Sequence, residues 1–385
     1  MKIARRMASI QPFHVMALLA RARELEASGR SIVHMEIGEP DFVTPQPVID
    51  AGIRALSEGK THYTPATGLP LLRERIAEFY LDRYGVKVAP GRIIVTPGAS
   101  SGLQLALAAL VNPGDKVLMA DPGYPCNRNF VYLLNAEPAG IPVDVTSGYQ
   151  PTIEQVEQCW SQDVAALLLA SPSNPTGTLL QAETIRQLFE YSQAQGAGLI
   201  VDEIYHGLTY GIAAETALAV SDELFVINSF SKYFGMTGWR LGWMVVPQDY
   251  VPEIDKLAQN LFLAAPTMAQ HAALAAFGDE SIAILEARRD EFRKRRDFLL
   301  PALRELGFDI PVTPDGAFYL YAGCSRFSDD SYAFSNQLLE EAGVAITPGV
   351  DFGSNEPGRH VRFAYTTSLE NLREGVRRLG EYLKA

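Results

Sequence analysis

The sequence has little cysteine, with three residues among 385 and no CxxC arrangement. Cys126, Cys159 and Cys324 are widely spaced and odd in number, so neither a disulfide framework nor a zinc site is expected. The six histidines form no HxH or HxxxH pair, so a metal centre has no basis in the sequence. A few cysteines without disulfide partners are typical of proteins in a reducing compartment, and we expect a cytoplasmic protein.

Long apolar runs and excess positive charge are also missing. No run approaches the roughly 20 apolar residues that span a bilayer, and charges scattered through the first residues do not suit a signal peptide. We therefore expect neither membrane insertion nor secretion. The chain has 33 Lys and Arg against 45 Asp and Glu, and its net charge of −12 disfavours nucleic acid or anionic lipid as a partner.

The composition is that of a globular chain, 47% hydrophobic and 20% charged, and the length suits two domains. Between about residues 90 and 250, short apolar runs alternate with helical patterns, which predicts a mostly parallel sheet covered by helices. The strand candidates are 92–96, 116–121, 165–171, 198–203, 224–229 and 241–246, and the helix candidates are 101–111, 181–195 and 249–277. We place this large α/β domain at residues 45–280.

The sequence changes character after residue 280. A charged stretch at 284–307 has apolar residues at helical spacing and predicts a solvated helix. Strands are expected at 317–323, 344–349 and 360–366, and helices at 330–342 and 368–384. Together these elements predict a smaller α+β domain at residues 281–385.

Polar residues follow the ends of the predicted strands. Because open parallel sheets bind ligands beyond the carboxyl ends of their strands, we expect these residues to share one cavity. They are Ser100, Tyr124, Asn174, Asp202, Tyr205, Ser229, Ser231 and Lys232, with Ala99 as a donor through its backbone amide. The set suits a phosphorylated aromatic ring that carries positive charge. No GxGxxG follows any strand candidate, which disfavours a nicotinamide dehydrogenase.

A phosphate site is predicted where the first strand passes through Gly98 into an apolar helix, because the first amides of a helix are free to bind an anion. Small residues at such a turn can equally serve tight packing. The hydroxyls of Ser229 and Ser231 and the guanidinium of Arg240 would add donors suited to a phosphate dianion.

Lys232 is the single lysine in a stretch of aromatic and small residues at a strand end. Most lysines are solvated surface charges, but a lysine in these surroundings is a candidate for Schiff-base chemistry through a lowered pKa. Asp202 ends an apolar run and needs a positive partner, either a protonated pyridine nitrogen or a structural ion pair. Asn174 and Tyr205 could hydrogen-bond a ring hydroxyl, and Tyr124 could stack on the ring.

Three motifs follow one another along the chain, and their order supports a family resemblance: SPSNPTG at 171–177, DEIY at 202–205 and SxSKxxxxxGxR at 229–240. The chain resembles the fold-type I, class I and II aminotransferases, most closely their bacterial aspartate and aromatic branch. The resemblance covers essentially the whole chain. It implies a fold with a large, mostly parallel sheet domain and a smaller α+β domain, and an aminotransferase that depends on pyridoxal 5'-phosphate.

The resemblance also implies how the cofactor is held. Lys232 would bind it as a Schiff base, Asp202 would pair with the pyridine nitrogen, and Tyr205 would contact the ring hydroxyl. The other implied cofactor contacts are Ala99, Ser100, Tyr124, Asn174, Ser229, Ser231 and Arg240.

Substrate and partner contacts are implied in the same way. Gly38, Asn174 and Arg362 would bind the α-carboxylate of the substrate. Tyr63 would reach the phosphate of the neighbouring subunit, which implies a homodimer with shared active sites. Residues 1–44 would form an arm that crosses the site and completes the small domain.

The implied reaction moves an amino group from an L-amino acid to a 2-oxo acid by a ping-pong scheme. Because no second arginine is evident near the site, we favour neutral, aromatic or a broad range of amino donors over acidic ones. A β-eliminating C–S lyase of the same fold is the alternative, and a cofactor-sensing regulator domain is a more remote one.

Overall fold

The computed structural model describes residues 1–384. The strands are β1 (Val33–His34), β2 (Ile93–Thr96), β3 (Lys116–Asp121), β4 (Glu137–Pro142), β5 (Val164–Ala170), β6 (Gly198–Asp202), β7 (Phe225–Ser229), β8 (Gly242–Val245), β9 (Tyr319–Gly323), β10 (Val344–Ala345), β11 (Thr347–Pro348) and β12 (His360–Ala364). The helices are α1 (His14–Ala27), α2 (Gln46–Ser57), α3 (Pro70–Tyr84), α4 (Ala99–Leu110), α5 (Pro125–Leu133), α6 (Ile153–Cys159), α7 (Ala182–Ala194), α8 (Val251–Leu261), α9 (Thr267–Ala273), α10 (Asp279–Leu306), α11 (Ser331–Gln337) and α12 (Leu369–Tyr382).

Seven strands form one large sheet in the order β2-β8-β7-β6-β5-β3-β4. β8 runs antiparallel to both of its neighbours, and the other neighbours in this sheet pair in parallel. The carboxyl ends of the parallel strands and the amino end of β8 therefore lie at the same edge of the sheet. The predicted fold class, a mostly parallel sheet covered by helices, is confirmed.

β8 is the antiparallel strand of this mostly parallel sheet. Parallel neighbours in a sheet are usually joined through an α-helix. The segment between β7 and β8 carries only the short 3-10 turn Thr237–Trp239, so the chain returns antiparallel. This return brings Arg240, which precedes β8, to the edge where the parallel strands end.

Helix layers bury both faces of the large sheet. Along β5, Leu167 and Leu169 belong to a core shared with α3, α6 and α7, whereas Ala166 and Leu168 belong to a core shared with α4, α5 and α8. Successive side chains of a strand point to opposite faces, so a run that is apolar throughout fills both cores. A one-residue slip would exchange the two faces, and this burial therefore fixes the register.

The remaining strands form two small sheets. β11, β12 and β9 pair antiparallel, and β1 pairs in parallel with β10. Helix α1 packs Leu18, Ala22 and Leu25 against Leu339 and Ala345, so the start of the chain contacts its C-terminal part. The domain limits at residues 44 and 280 stay predictions. Within residues 1–384 no helix has both the length and the apolar character needed to cross a membrane.

The single helix expected at 249–277 is wrong. The chain forms α8, an irregular turn, α9 and a short 3-10 turn at Leu274–Phe277. Leu263 in the irregular turn has a φ of 65°, a left-handed conformation that interrupts an α-helix. Pro266, just before α9, lacks the amide hydrogen that a continuing helix would use.

Candidate active site

The edge where the parallel strands end opens into a cavity of about 210 Å³. It is lined by nearly all of the predicted site residues, namely Gly38, Ala99, Ser100, Tyr124, Asn174, Asp202, Tyr205, Ser229, Ser231, Lys232, Arg240 and Arg362. The topology explains the convergence, because β2, β3, β5, β6 and β7 end here and β8 begins here. Tyr63 is the predicted site residue that lies elsewhere, with its side chain 81% exposed.

Lys232 follows β7 and projects into this cavity. Its Nζ donates a hydrogen bond of 2.7 Å to the carbonyl oxygen of Gly38 and lies 5.9 Å from the ring centre of Tyr205 and 5.8 Å from that of Phe318. Burial lowers the pKa of Lys232 to about 8, and the negative charge of Glu39 opposes that shift. A lysine with this pKa is partly neutral near neutral pH, and the neutral amine is the form that acts as nucleophile and base.

Asp202 is the last residue of β6, and it is only 4% exposed. Its Oδ1 accepts a hydrogen bond of 3.1 Å from the amide of Ile204. Burial raises the pKa of Asp202 to about 7, whereas that hydrogen bond and the charge of Lys232 act in the opposite direction. A positive charge brought in by a ligand would restore the ionised carboxylate.

An anion cradle forms at the start of α4. Gly98 precedes the helix with a φ of 80°, and a Cβ at this position would lie 2.7 Å from Nη2 of Arg240. The guanidinium of Arg240 thus faces the first free amides of the helix, and its Nη1 donates to the carbonyl oxygen of Thr237 at 3.0 Å. Ser229 Oγ accepts from the amide of Ser231 at 3.0 Å. Helix amides, two serines and an arginine together suit a phosphate group.

Two tyrosines and an amide flank the centre of the cavity. The hydroxyls of Tyr205 and Tyr319 are 2.8 Å apart, and Asn174 Oδ1 accepts a hydrogen bond of 2.8 Å from Nη1 of Arg362. Burial raises the pKa of Tyr205 and of Tyr124 well above 10. Both phenols therefore stay protonated and are available as neutral hydrogen-bond donors.

Arg362 of β12 is 3% exposed, and hydrogen bonds and aromatic rings fix the orientation of its guanidinium. Nη2 donates to the carbonyl oxygen of Glu36 at 2.6 Å and to Oγ1 of Thr347 at 3.1 Å. The group lies 4.2 Å from the ring centre of Tyr319 and 4.9 Å from that of Phe352, while its buried Nε has no hydrogen-bond partner. A fixed guanidinium with spare donor capacity is suited to a planar carboxylate.

Some residues that line the cavity were missed by the sequence reasoning. Tyr319 packs on Arg362 and leaves no space for a side chain at Gly38, where an added Cβ would overlap its hydroxyl. Phe13, Val15 and Met16 also reach the cavity from the start of α1. No motif marks these residues, because their place in the site depends on how the chain ends pack against the large sheet.

The family described as aminotransferase class I and II matches residues 30–379. The chain belongs to this family. Its members depend on pyridoxal 5'-phosphate, and the chain is accordingly a pyridoxal-phosphate-dependent aminotransferase.

Other aminotransferases are similar to this one over their full length. The (5-formylfuran-3-yl)methyl phosphate transaminase of Methanocaldococcus jannaschii is 38% identical over 384 residues, which covers 99% of each chain. The valine–pyruvate aminotransferase of Mycobacterium tuberculosis is 38% identical over 378 residues, 98% of this chain and 97% of the relative. A crystal structure of an aminotransferase from Mycobacterium tuberculosis superposes with a TM-score of 0.96, at 38% identity, and covers 100% of this chain and 99% of that one.

The cavity of this aminotransferase fits pyridoxal phosphate by the chemistry of its donor set. A lysine with a lowered pKa faces a buried carboxylate with a raised pKa, as an aldehyde and a basic ring nitrogen require. The cradle of Gly98, Arg240 and the two serines suits the phosphate. The unpartnered Nε of Arg362 leaves a donor for a substrate carboxylate.

Proposed function

We propose that this aminotransferase moves an amino group from an L-amino acid to a 2-oxo acid by a ping-pong scheme. The observation that carries the proposal is the shared cavity of Lys232, Asp202 and Arg362. It places a base, a partner for a ring nitrogen and a carboxylate-binding group around one ligand space.

Lys232 would take and return the proton that moves. Its lowered pKa leaves a fraction of Nζ neutral near neutral pH, so Nζ would accept a proton from the α-carbon of the amino acid. Pyridoxal phosphate, when bound, supplies an electron-withdrawing ring that makes this carbon acidic. The hydrogen bond from Nζ to the Gly38 carbonyl would keep the amine within the cavity while it is not covalently engaged.

Arg362, Asn174 and the backbone at Gly38 would bind the substrate α-carboxylate. Hydrogen bonds to the Glu36 carbonyl and to Thr347 already hold Arg362 in place. Its side chain therefore loses little further conformational entropy when a substrate binds. An amino acid and a 2-oxo acid both carry this carboxylate, and one binding group would therefore serve both half-reactions, as a ping-pong scheme requires.

Asp202 and Tyr205 would set the electronic state of the ring. The carboxylate of Asp202 would accept a hydrogen bond from the ring nitrogen and keep that nitrogen protonated, because burial of an ion without a counter-charge is costly. Tyr205, protonated at all relevant pH values because burial raises its pKa, would donate to the ring hydroxyl together with Asn174. Tyr124 would stack on the ring face.

A homodimer would complete the site. Tyr63 is 81% exposed and lies outside the cavity of its own chain, which suits a role in the cradle of a neighbouring subunit. The enzyme's other partners would be small molecules, namely amino acids and 2-oxo acids, and neither a nucleic acid nor a membrane. The cytoplasmic location stays a prediction.

Amino transfer is tested by incubating the cofactor-loaded enzyme with a panel of L-amino acids and with pyruvate or 2-oxoglutarate. We expect a new amino acid to form from the oxo acid, at a rate that depends on Lys232, with neutral or aromatic donors ahead of aspartate. Pyruvate and ammonia released from a cysteine conjugate, without amino transfer, would instead indicate the β-eliminating lyase and contradict the proposal.

A further inference from the structure

We propose that Asp351 is a positioning residue that holds the first turn of α1 over the active site, and that this turn selects substrates with apolar side chains. The inference rests on the proposed amino transfer, because it names the side-chain class that the same cavity accepts.

The first turn of α1 lies at the mouth of the cavity. Phe13, Val15 and Met16 line it together with Leu103 of α4. Met16 is 53% exposed, so a ligand can reach its side chain. We call these four uncharged, hydrophobic side chains the apolar wall. Contact between this wall and a hydrophobic substrate side chain is favourable, because it removes apolar surface from water.

Burial does not hold the segment that precedes α1. Residues 1–12 include no buried side chain, and a second cavity of about 380 Å³ lies between residues 9–14 and the start of α5. Val15 in the first turn is 3% exposed, whereas Leu18, Ala22 and Leu25 farther along the helix pack together in a core. The position of the first turn therefore depends on the burial of Val15 and on polar contacts made at the turn itself.

The carboxylate of Asp351 makes these contacts. The N-cap residue Phe13 has no side chain that can cap the helix, and the orphan amides of His14 and Val15 each donate to Asp351 at 2.9 Å. A third contact joins the His14 ring nitrogen Nδ1 to Asp351 Oδ1 at 2.7 Å. Asp351 is 5% exposed and thus caps α1 from a distant part of the chain, where its charge also complements the helix dipole.

Asp351 also connects the apolar wall to the carboxylate-binding group. It ends the 3-10 turn Gly349–Asp351, which directly follows β11. Thr347 of β11 accepts a hydrogen bond from Arg362. One short segment therefore positions both Arg362 and the apolar wall, so the α-carboxylate and the side chain of a substrate are bound at a fixed separation.

In the described residues of one chain, the cavity offers no free cation to a distal carboxylate. The cationic side chains that line it are Lys232, Arg240 and Arg362, and each has a role toward the cofactor or the α-carboxylate. Phenylalanine or leucine should therefore be better donors than aspartate.

Asp351→Asn tests the cap, and Asp330→Asn is the matched control. Asp330 caps α11 through the amides of Tyr332 at 3.1 Å and Ala333 at 3.0 Å and is not among the residues that line the cavity. The Tyr332 ring lies 5.1 Å from that of His14, so this variant also shows what the loss of a neighbouring cap does to the first turn of α1. Asparagine has one acceptor oxygen where Asp351 uses two, so one of the two amides loses its partner. We therefore expect Asp351→Asn to speed hydrogen exchange in the first turn of α1 by about fivefold, the effect of about 1 kcal/mol for a lost hydrogen bond. The KM for L-phenylalanine should rise by a similar factor, with little change in kcat or in the KM for L-alanine, and Asp330→Asn should show none of these effects.

Met16→Ala tests the apolar wall separately and leaves the cap intact. It should raise the KM for L-phenylalanine without changing hydrogen exchange in α1. Equal exchange in the Asp351→Asn and Asp330→Asn variants would overturn the cap, and a higher kcat/KM for L-aspartate than for L-phenylalanine would overturn the substrate class. If no amino acid donates to any 2-oxo acid, the proposed function fails, whereas the exchange measurement still decides the role of Asp351.

Discussion

Individual side chains at the site owe their chemistry to burial. The same desolvation lowers the pKa of Lys232 to about 8 and raises that of Asp202 to about 7, because a buried group resists carrying charge. Both shifts favour neutral forms in the cofactor-free protein. The ligand that this site suits carries a phosphate and a basic ring nitrogen, so binding it would return the charge on Asp202.

Asp202→Asn should change how the stability of the cofactor-free protein depends on pH. Asp202 loses its proton near pH 3.8 when unfolded and near pH 7 when folded, so the folded state holds more protons between these values. Wild-type stability should therefore fall as pH rises from about 4 to 7, by at most about 1.4 kcal/mol per pH unit from this group. The variant lacks this slope. Urea unfolding across the window measures it, and a pH-independent difference between the two proteins would contradict the buried carboxylate.

Arg362→Lys should weaken substrate binding while leaving the cofactor in place. A lysine cannot reproduce the bidentate, stacked geometry over Tyr319, and a lost charged hydrogen bond of this kind corresponds to about a tenfold to hundredfold increase in KM. Both the amino donor and the oxo-acid acceptor should be affected, because they share the carboxylate. Steady-state kinetics with each substrate varied in turn would show this, and an effect on only one of the two would argue against a common site.

The predicted site residues were recognisable because strand ends and motifs mark them. Twelve of the residues named from the sequence line one cavity, since the parallel strands that carry most of them end at one edge. Tyr319 and the apolar wall could not be found in this way. The sequence predicts the strand that carries Tyr319 but not helix α1, and which face of the small sheet meets the large one depends on tertiary packing.

At the scale of elements, the sequence predicted what two-sided burial dictates and missed what edges and turns decide. Continuous apolar runs identified β2, β3 and β5 to β8. β4 was not predicted, because its sequence EPAGIP contains two prolines, and only its place at the sheet edge tolerates them. The direction of β8 was equally hidden, since it depends on the connection before the strand and not on the strand's own residues.

Helix α1 is tied to β1 by an ionisable bridge. His34 contacts Glu36 at 2.7 Å and Glu26 of α1 at 3.1 Å, and the hydrogen bond that its ring donates to Glu36 is the main reason that the pKa of His34 is raised to about 9. A folded-state pKa above the unfolded value of 6.5 adds stability that is complete below pH 6.5 and is lost as pH rises toward 9.

His34→Gln should therefore destabilise the protein most at low pH. The difference in melting temperature between wild type and variant should be largest below about pH 6.5 and should shrink by about pH 9. Thermal unfolding of the two proteins at a series of pH values measures the difference. A gap that stays constant over this range would mean that His34 acts through packing and not through charge.

At the scale of the whole molecule, the proposed homodimer predicts that active sites are shared between chains. Tyr63 lies outside the cavity of its own chain, so its loss should impair the site of the neighbouring subunit. Tyr63→Ala and Lys232→Ala homodimers should each lose most activity. Heterodimers of the two variants should recover activity, because one of their sites combines Lys232 from one chain with Tyr63 from the other.

The recovery is measured by unfolding the two variants together, refolding them and assaying the mixture against each variant refolded alone. Size-exclusion chromatography confirms that the species compared are dimers. If a mixture that contains heterodimers recovers no activity, Tyr63 does not contribute to the active site of the neighbouring subunit.

The claim that Lys232 carries the cofactor and gives it up to an amino acid has one direct test. The cofactor-loaded enzyme is reduced with borohydride, with and without prior addition of an amino donor, and its peptides are mapped by mass spectrometry. We predict a covalent cofactor on Lys232 in the resting enzyme, and its disappearance from Lys232 after the donor is added. A label on another lysine, or one on Lys232 that no amino acid displaces, would contradict the account.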